Sequence, residues 1–115
     1  MASVQSAKID FGLTTSYGMT APVDLAQANY RTLLLGMKAS RMYHFRITAV
    51  SGGSQCQSPD YTIMTGPLAT GLVKPTVMTR NAAALSGGFL LTGQYVQNST
   101  GNGPAYILNA DGDYV

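Results

Sequence analysis

Residues 42–50 restrict more than any other segment what this chain can fold into. Tyr43, Phe45, Ile47 and Ala49 fall on one phase, and His44, Arg46 and Thr48 on the other. In a strand, successive side chains point to opposite sides of the pleat, so this alternation yields one apolar face and one polar face. A helix would scatter the same residues around its circumference. Such a strand needs neighbouring strands for its backbone groups and an apolar layer for its aromatic face. The rest of the chain has to supply both.

The same period recurs at Ala7, Ile9, Phe11 and Leu13, interleaved with Lys8 and Asp10. Tyr17, Met19, Ala21, Val23 and Leu25 hold another phase, and Pro22 assigns that segment to a sheet edge because proline donates no ladder hydrogen bond. Residues 24–29 predict one helical turn. Residues 30–35 predict a strand, with three successive leucines implying burial on more than one side. Residues 37–41 read as a loop, residues 51–54 as a flexible turn and residues 60–65 as a strand.

Beyond Pro67 the texture changes. Residues 76–80, 89–96 and 105–108 predict short strands, residues 82–85 a helical turn, and residues 97–104 a polar Gly/Asn-rich loop. Asn109-Ala110-Asp111-Gly112-Asp113 predicts a tight turn, since Asp-Gly accepts positive φ at little cost. A strand is expected after it, with only Tyr114 and Val115 to begin one. The chain is thus expected to be all-β, with a sheet over residues 1–67 and a linker plus β segment over residues 68–115.

Composition narrows the function classes. Charged residues make up 10% of the chain, against about 25% in soluble domains generally. Few groups are left to keep a surface wet, so part of that surface is expected to be covered by another copy or another chain. The net charge of +2 is too small for a dedicated nucleic-acid binder. No apolar run approaches the roughly 20 residues that cross a bilayer as a helix. Residues 1–6 show no basic stretch leading into an apolar core, so no signal peptide is expected. Cys56 is the single cysteine, which excludes an intrachain disulfide and any cysteine-rich zinc site.

Leu35-Gly36-Met37-Lys38, with Tyr43-His44-Phe45-Arg46-Ile47-Thr48-Ala49 four residues later, resembles the corner before strand F of fibronectin type III domains. There a tyrosine hydroxyl bonds back to the backbone of the corner. More broadly, Arg46-Ile47-Thr48-Ala49, Ser58-Pro59-Asp60-Tyr61-Thr62-Ile63 and Thr65-Gly66-Pro67-Leu68 are similar to the N-terminal region of bacterial arylsulfotransferase-like proteins. Gly87-Gly88-Phe89-Leu90-Leu91 and residues 105–115 resemble the opening strands of the β-propeller that comes next in that family. The resemblance implies a partial fibronectin type III-like sandwich, starting at strand C, with an appended propeller-like hairpin. It also implies a parent family that is typically exported. The family's catalytic histidine lies in the propeller, whereas the single histidine here, His44, is on a sandwich strand, so the activity does not carry over. On this reading Ile9, Phe11, Tyr43, Phe45, Ile47 and Ile63 form an inner face with too little to pack against. Either residues 68–115 fold back to replace the missing strands or a second copy closes the face; a homo-oligomer, dimer or higher, is expected, with C2 pairing the commonest solution.

The residues support two functions from different classes. One is a non-catalytic, self-associating interaction or structural module with no cofactor. The other is a small oligomeric hydrolase of phosphate or sulfate esters, its site at a subunit interface. There His44 would be base or metal ligand, Arg46 would grip the anion, and either Asp60, if its strand places it on the face of His44, or an Asp of the 111–113 turn would assist. A divalent metal under this alternative would draw on His44, Asp111 and Asp113, although the Asp111–Asp113 pair also reads as a plain turn without the ligands of a calcium loop. Cys56, in Gln55-Cys56-Gln57-Ser58, reads as unpaired or as an interchain bridge. Tyr17, Tyr30, Tyr95, Tyr106 and Tyr114 read as core or interface packing, or as stacking platforms for a sugar or aromatic ligand.

Overall fold

A computed structural model describes residues 3–81, 83–84, 87–93 and 103–115. The chain forms two compact units, Met1–Pro67 and Leu68–Val115. Each is built on antiparallel strand pairing, as the alternating sequence requires. No helix among the described residues is long and apolar enough to cross a membrane.

In the first unit, β1 (Ser6–Gly12) lies between β2 (Met19–Val23) and β3 (Met42–Ser51). The far edge of β3 is shared between β4 (Ser54–Gln57), paired along its C-terminal part, and β5 (Tyr61–Met64), paired along its N-terminal part. The break between them contains Pro59, which has no N–H for a ladder. Ser58 bridges the break: its N–H donates to the Ile47 carbonyl at 2.9 Å and its hydroxyl accepts from the Ile47 N–H at 3.0 Å.

Register sorts the side chains. Phe11 stands opposite Met19 and Phe45, Ile9 opposite Ala21 and Ile47, and Tyr43 opposite Ile63, all on the apolar face. Asp10 stands opposite Thr20 and Arg46, and His44 opposite Gly12 and Thr62, on the polar face. Phe11, Ala21 and Tyr43 form the buried core, with Leu34 and Met37 from the segment before β3 packed against it. The Tyr43 hydroxyl accepts a hydrogen bond from the Lys38 N–H at 2.8 Å, which ties that segment to β3.

Two local expectations are corrected. Residues 30–35 are not a strand. Ala28–Tyr30 is a single 3₁₀ turn in which Asn29 and Tyr30 take φ of 59° and 53°, and this throws the chain off an extended line. Past this turn, a side chain ties the segment to β2: the Thr32 hydroxyl donates to the Pro22 carbonyl at 2.9 Å. Leu33 and Leu35 are 78% and 68% exposed instead of buried, and only Leu34 reaches the core. Residues 76–80 form no strand either, and Met78 among them is 93% exposed. The turn expected at residues 51–54 is present and closes a tight hairpin. Ser51 pairs with Ser54, and Gly52 and Gly53 both take positive φ, as two-residue hairpin turns demand.

In the second unit, β6 (Leu90–Gly93) pairs with β7 (Ala105–Leu108), and Leu108 is buried. Asn109 organises the turn after β7. Its side-chain oxygen accepts from the N–H groups of Asp111 and Asp113, both at 2.9 Å, and its carbonyl accepts from Gly112 at 3.0 Å. The returning arm is present in short form, as Tyr114 bridges to Leu108 and the Val115 N–H donates to Ile107. Tyr106 and Tyr114 pack edge to face, with centroids 5.2 Å apart. Of the expected helical turn at 82–85, Ala82 and Leu85 lie outside the described residues. So do residues 94–96 of the expected strand, among them Tyr95, and residues 97–102 of the expected loop.

Candidate functional site

The polar face of the first sheet gathers titratable side chains that are distant in sequence. Tyr61 pairs with Phe45, which brings the residue before β5, Asp60, alongside the polar face of β3. His44 Nδ1 lies 2.7 Å from Asp60 Oδ2. A carboxylate can only accept, so in the neutral ring Nδ1 carries the proton and Nε2 keeps the lone pair. The bond from His44 is the main reason the Asp60 carboxyl sits below its ordinary pKa, with a further bond from Tyr17 and the charge of Arg46 adding to it.

Tyr17 comes from the loop between β1 and β2. Its hydroxyl donates to Asp60 Oδ1 at 3.0 Å, so the two carboxylate oxygens are divided between Tyr17 and His44. The Arg46 guanidinium lies over the Tyr17 ring, 4.9 Å from the centroid, in cation–π geometry. Loss of solvent around the Tyr17 phenol, and then its bond to Asp60, push its pKa up.

On its other side Arg46 faces Asp10, with Nη2 3.8 Å from Oδ2. Asp10 is buried, accepts from the Thr20 hydroxyl at 2.7 Å and from Lys8 Nζ at 3.1 Å, and has its pKa lowered, first by the Thr20 bond. The result is one connected band, His44–Asp60–Tyr17–Arg46–Asp10, that ends at Thr20 and Lys8. Thr48 continues the same face and is buried. Its hydroxyl and Arg46 Nε find no hydrogen-bond partner among the described residues.

The structure thus brings His44, Arg46 and Asp60 into one network. Asp111 and Asp113 belong to the second unit, where Asp111 meets Arg80 at 3.0 Å and Asp113 meets Lys74 at 3.6 Å. Among the described residues no three His, Cys, Asp or Glu side chains are grouped to hold a metal ion. Cys56 is exposed on β4, opposite Ala49 and so on the apolar side of the sheet.

Asp10, Lys8 and Thr20 were not legible as site residues, and neither was the bond from Tyr17 to Asp60. Lys8 and Asp10 sit on the polar phase of β1, which marks their face but not their neighbours. Tyr17 reads as the first member of the apolar phase running to Leu25. It is not, because Tyr17 and Gly18 take φ of 60° and 96°, which turns the chain before β2 begins and delivers Tyr17 to the opposite face. A Tyr-Gly pair at the mouth of a hairpin was the available signal.

Charge and geometry suit this band to proton transfer through His44 Nε2, with Asp60 orienting the ring from behind and Arg46 as the nearby cation. Compared with known proteins, the chain matches no family model, no curated protein and no solved structure.

Proposed function

We propose that this chain is a self-associating β module related to the N-terminal fibronectin type III-like region of arylsulfotransferase-like proteins, and that a second copy closes its apolar face. The bond from Lys38 to the Tyr43 hydroxyl supports the fibronectin-like reading, since it is the contact of a tyrosine corner. The observation that carries self-association is how little of the apolar face is covered. Phe11, Ala21 and Tyr43 are its buried residues. Beside them an open apolar groove of about 260 Å³ runs between Ile9, Val23, Leu25, Tyr30, Ile47 and Ala49, and Tyr61 and Ile63 on the same face are each 47% exposed. Full burial of an aliphatic side chain contributes roughly 1.5–3 kcal/mol, so a few such residues closed against a copy of themselves favour a dimer or higher oligomer. Sedimentation velocity at micromolar concentration tests this: an oligomer that Ile47→Asp dissociates supports it, and a folded native monomer overturns it.

A second reading is favoured by the 2.7 Å contact between His44 and Asp60: a hydrolase of phosphate or sulfate esters on the polar face. His44 Nε2 takes a proton from water as the water oxygen bonds to phosphorus or sulfur. The ester oxygen then leaves with its electron pair and recovers a proton from the imidazolium. Arg46 holds the anionic oxygens and Asp60 stabilises the transient charge on the ring. Turnover of aryl phosphate diesters or aryl sulfates that His44→Ala abolishes, with the oligomer intact, supports this reading. Equal rates in the native and His44→Ala chains overturn it, and repeating the assay with a chelator tells whether a divalent metal takes part.

A further inference from the structure

We propose that Tyr17 is the positioning residue of the His44–Asp60 pair, selecting the tautomer of His44 that leaves Nε2 free as a base. The inference deepens the hydrolase reading and is tested apart from it. Tyr17 touches no reacting atom in that scheme. It acts through Asp60, whose Oδ1 it holds at 3.0 Å while Oδ2 meets His44 Nδ1 at 2.7 Å.

Asp60 needs such a partner. It lies at the break between β4 and β5, just after Pro59, where no regular ladder fixes its backbone, and its side chain is about one-third exposed. A carboxylate in that setting can rotate, and either oxygen can turn to water. When one oxygen is bonded to a fixed phenol, the other is constrained in direction. His44 comes from β3, paired on both sides, at Gly12 and at Thr62. With Oδ1 held by the Tyr17 hydroxyl, the direction in which Asp60 presents Oδ2 to His44 is limited.

Tyr17 itself is held by a backbone arrangement too specific to be incidental. It adopts φ of 60°, a left-handed conformation that a bulky side chain rarely takes. Its N–H donates to the Thr14 carbonyl at 2.9 Å, and its own carbonyl packs against Gly12 so closely that a Cβ there would lie 1.5 Å from the Tyr17 oxygen. Gly12 is the residue paired with His44. The absence of a side chain at Gly12 lets the loop fold down onto β1, and the same fold carries the phenol across the sheet to Asp60. Arg46 over the ring holds the opposite side of the phenol. Left-handed strain, a glycine-only contact and a bidentate division of one carboxylate converge on the orientation of one imidazole.

His44 is the only histidine in the chain, so long-range proton–nitrogen NMR of the ¹⁵N-labelled protein reads its ring without ambiguity. At a pH where the ring is neutral, the native chain is expected to carry the ring proton mainly at Nδ1. A ring protonated mainly at Nε2 overturns the proposal before any variant is made. In Tyr17→Phe the ratio of Nδ1–H to Nε2–H is expected to fall by at least about threefold, the effect of losing one hydrogen bond that orients Asp60. Asp60→Ala is expected to lose the preference altogether. A merely structural role for Tyr17 would lower stability and leave that ratio alone, and an unchanged ratio in folded Tyr17→Phe overturns the proposal. Because the readout is tautomer and not turnover, a chain that hydrolyses no ester but shows the shift removes the hydrolase reading and keeps the assignment of Tyr17.

Discussion

His44 and Asp60, sixteen residues apart, meet at 2.7 Å because β5 pairs with the N-terminal part of β3 in a register that sets Tyr61 opposite Phe45. One residue of slippage would send Asp60 to the apolar face. The contact is therefore a property of the pairing, and it joins a histidine on the chain's best-defined strand to a carboxylate at the least regular point of the sheet.

If that contact orients the imidazole for catalysis, Asp60→Asn should retain the fold and lose most of the ester hydrolysis attributable to His44. Removing an orienting carboxylate of this kind costs on the order of 10²-fold or more in rate. Initial rates on an aryl phosphate diester, with native, Asp60→Asn and His44→Ala chains side by side, measure it.

Gly12→Ala should destabilise the first unit by about 1–3 kcal/mol, the range for forcing atoms into a filled site. The reason is steric, since the added Cβ meets the Tyr17 backbone oxygen at 1.5 Å, which no rotamer can relieve. At Gly18 the corresponding Cβ meets nothing within 4 Å, so its φ of 96° alone resists substitution and the two sites are distinguishable. Urea unfolding of both alanine variants gives the comparison.

Tyr43→Phe removes the oxygen that accepts the Lys38 N–H and should cost about 1–2 kcal/mol. The loss should fall on the link between β3 and the segment that carries Leu34 and Met37. Amide hydrogen exchange is therefore expected to accelerate over residues 34–38 more than within β1.

Acid should weaken the first unit through Asp10 and Asp60. Both carboxyls have folded pKa values below their unfolded ones, so their contribution is complete above about pH 4 and is lost as pH falls through the folded values. The thermal midpoint is expected to drop below about pH 4. Thr20→Val removes the largest cause of the Asp10 shift. It should lower stability at neutral pH and shrink the acid-dependent loss, as calorimetry across pH would show.

Self-association through the apolar face predicts that the thermal midpoint rises with protein concentration, because a partner that binds only the folded chain stabilises it by mass action. Ile47→Asp should abolish that dependence. The charge enters on the groove side of β3, away from the polar band, so the His44–Asp60 contact should persist in the dissociated variant.

What the amino-acid sequence determined alone is local. Alternation from Tyr43 to Ala49 and from Ala7 to Phe11 specified strands and their faces, because side chains in a strand repeat every second residue whatever lies beside them. It placed His44 and Arg46 together on one face for the same reason. Gly52-Gly53 and Asp111-Gly112 marked turns because glycine takes positive φ at little cost. Local pattern failed where an extended-looking stretch had no ladder to join, at residues 30–35, and where a turn reversed the phase, at Tyr17. Only the tertiary structure decided which strands meet and in what register. From that come Asp60 beside His44, Asp10 beside Arg46, and the phenol of Tyr17 between them. Periodicity states which way a side chain faces, but its neighbour across the ladder depends on a segment many residues away and on the loop that closes the distance.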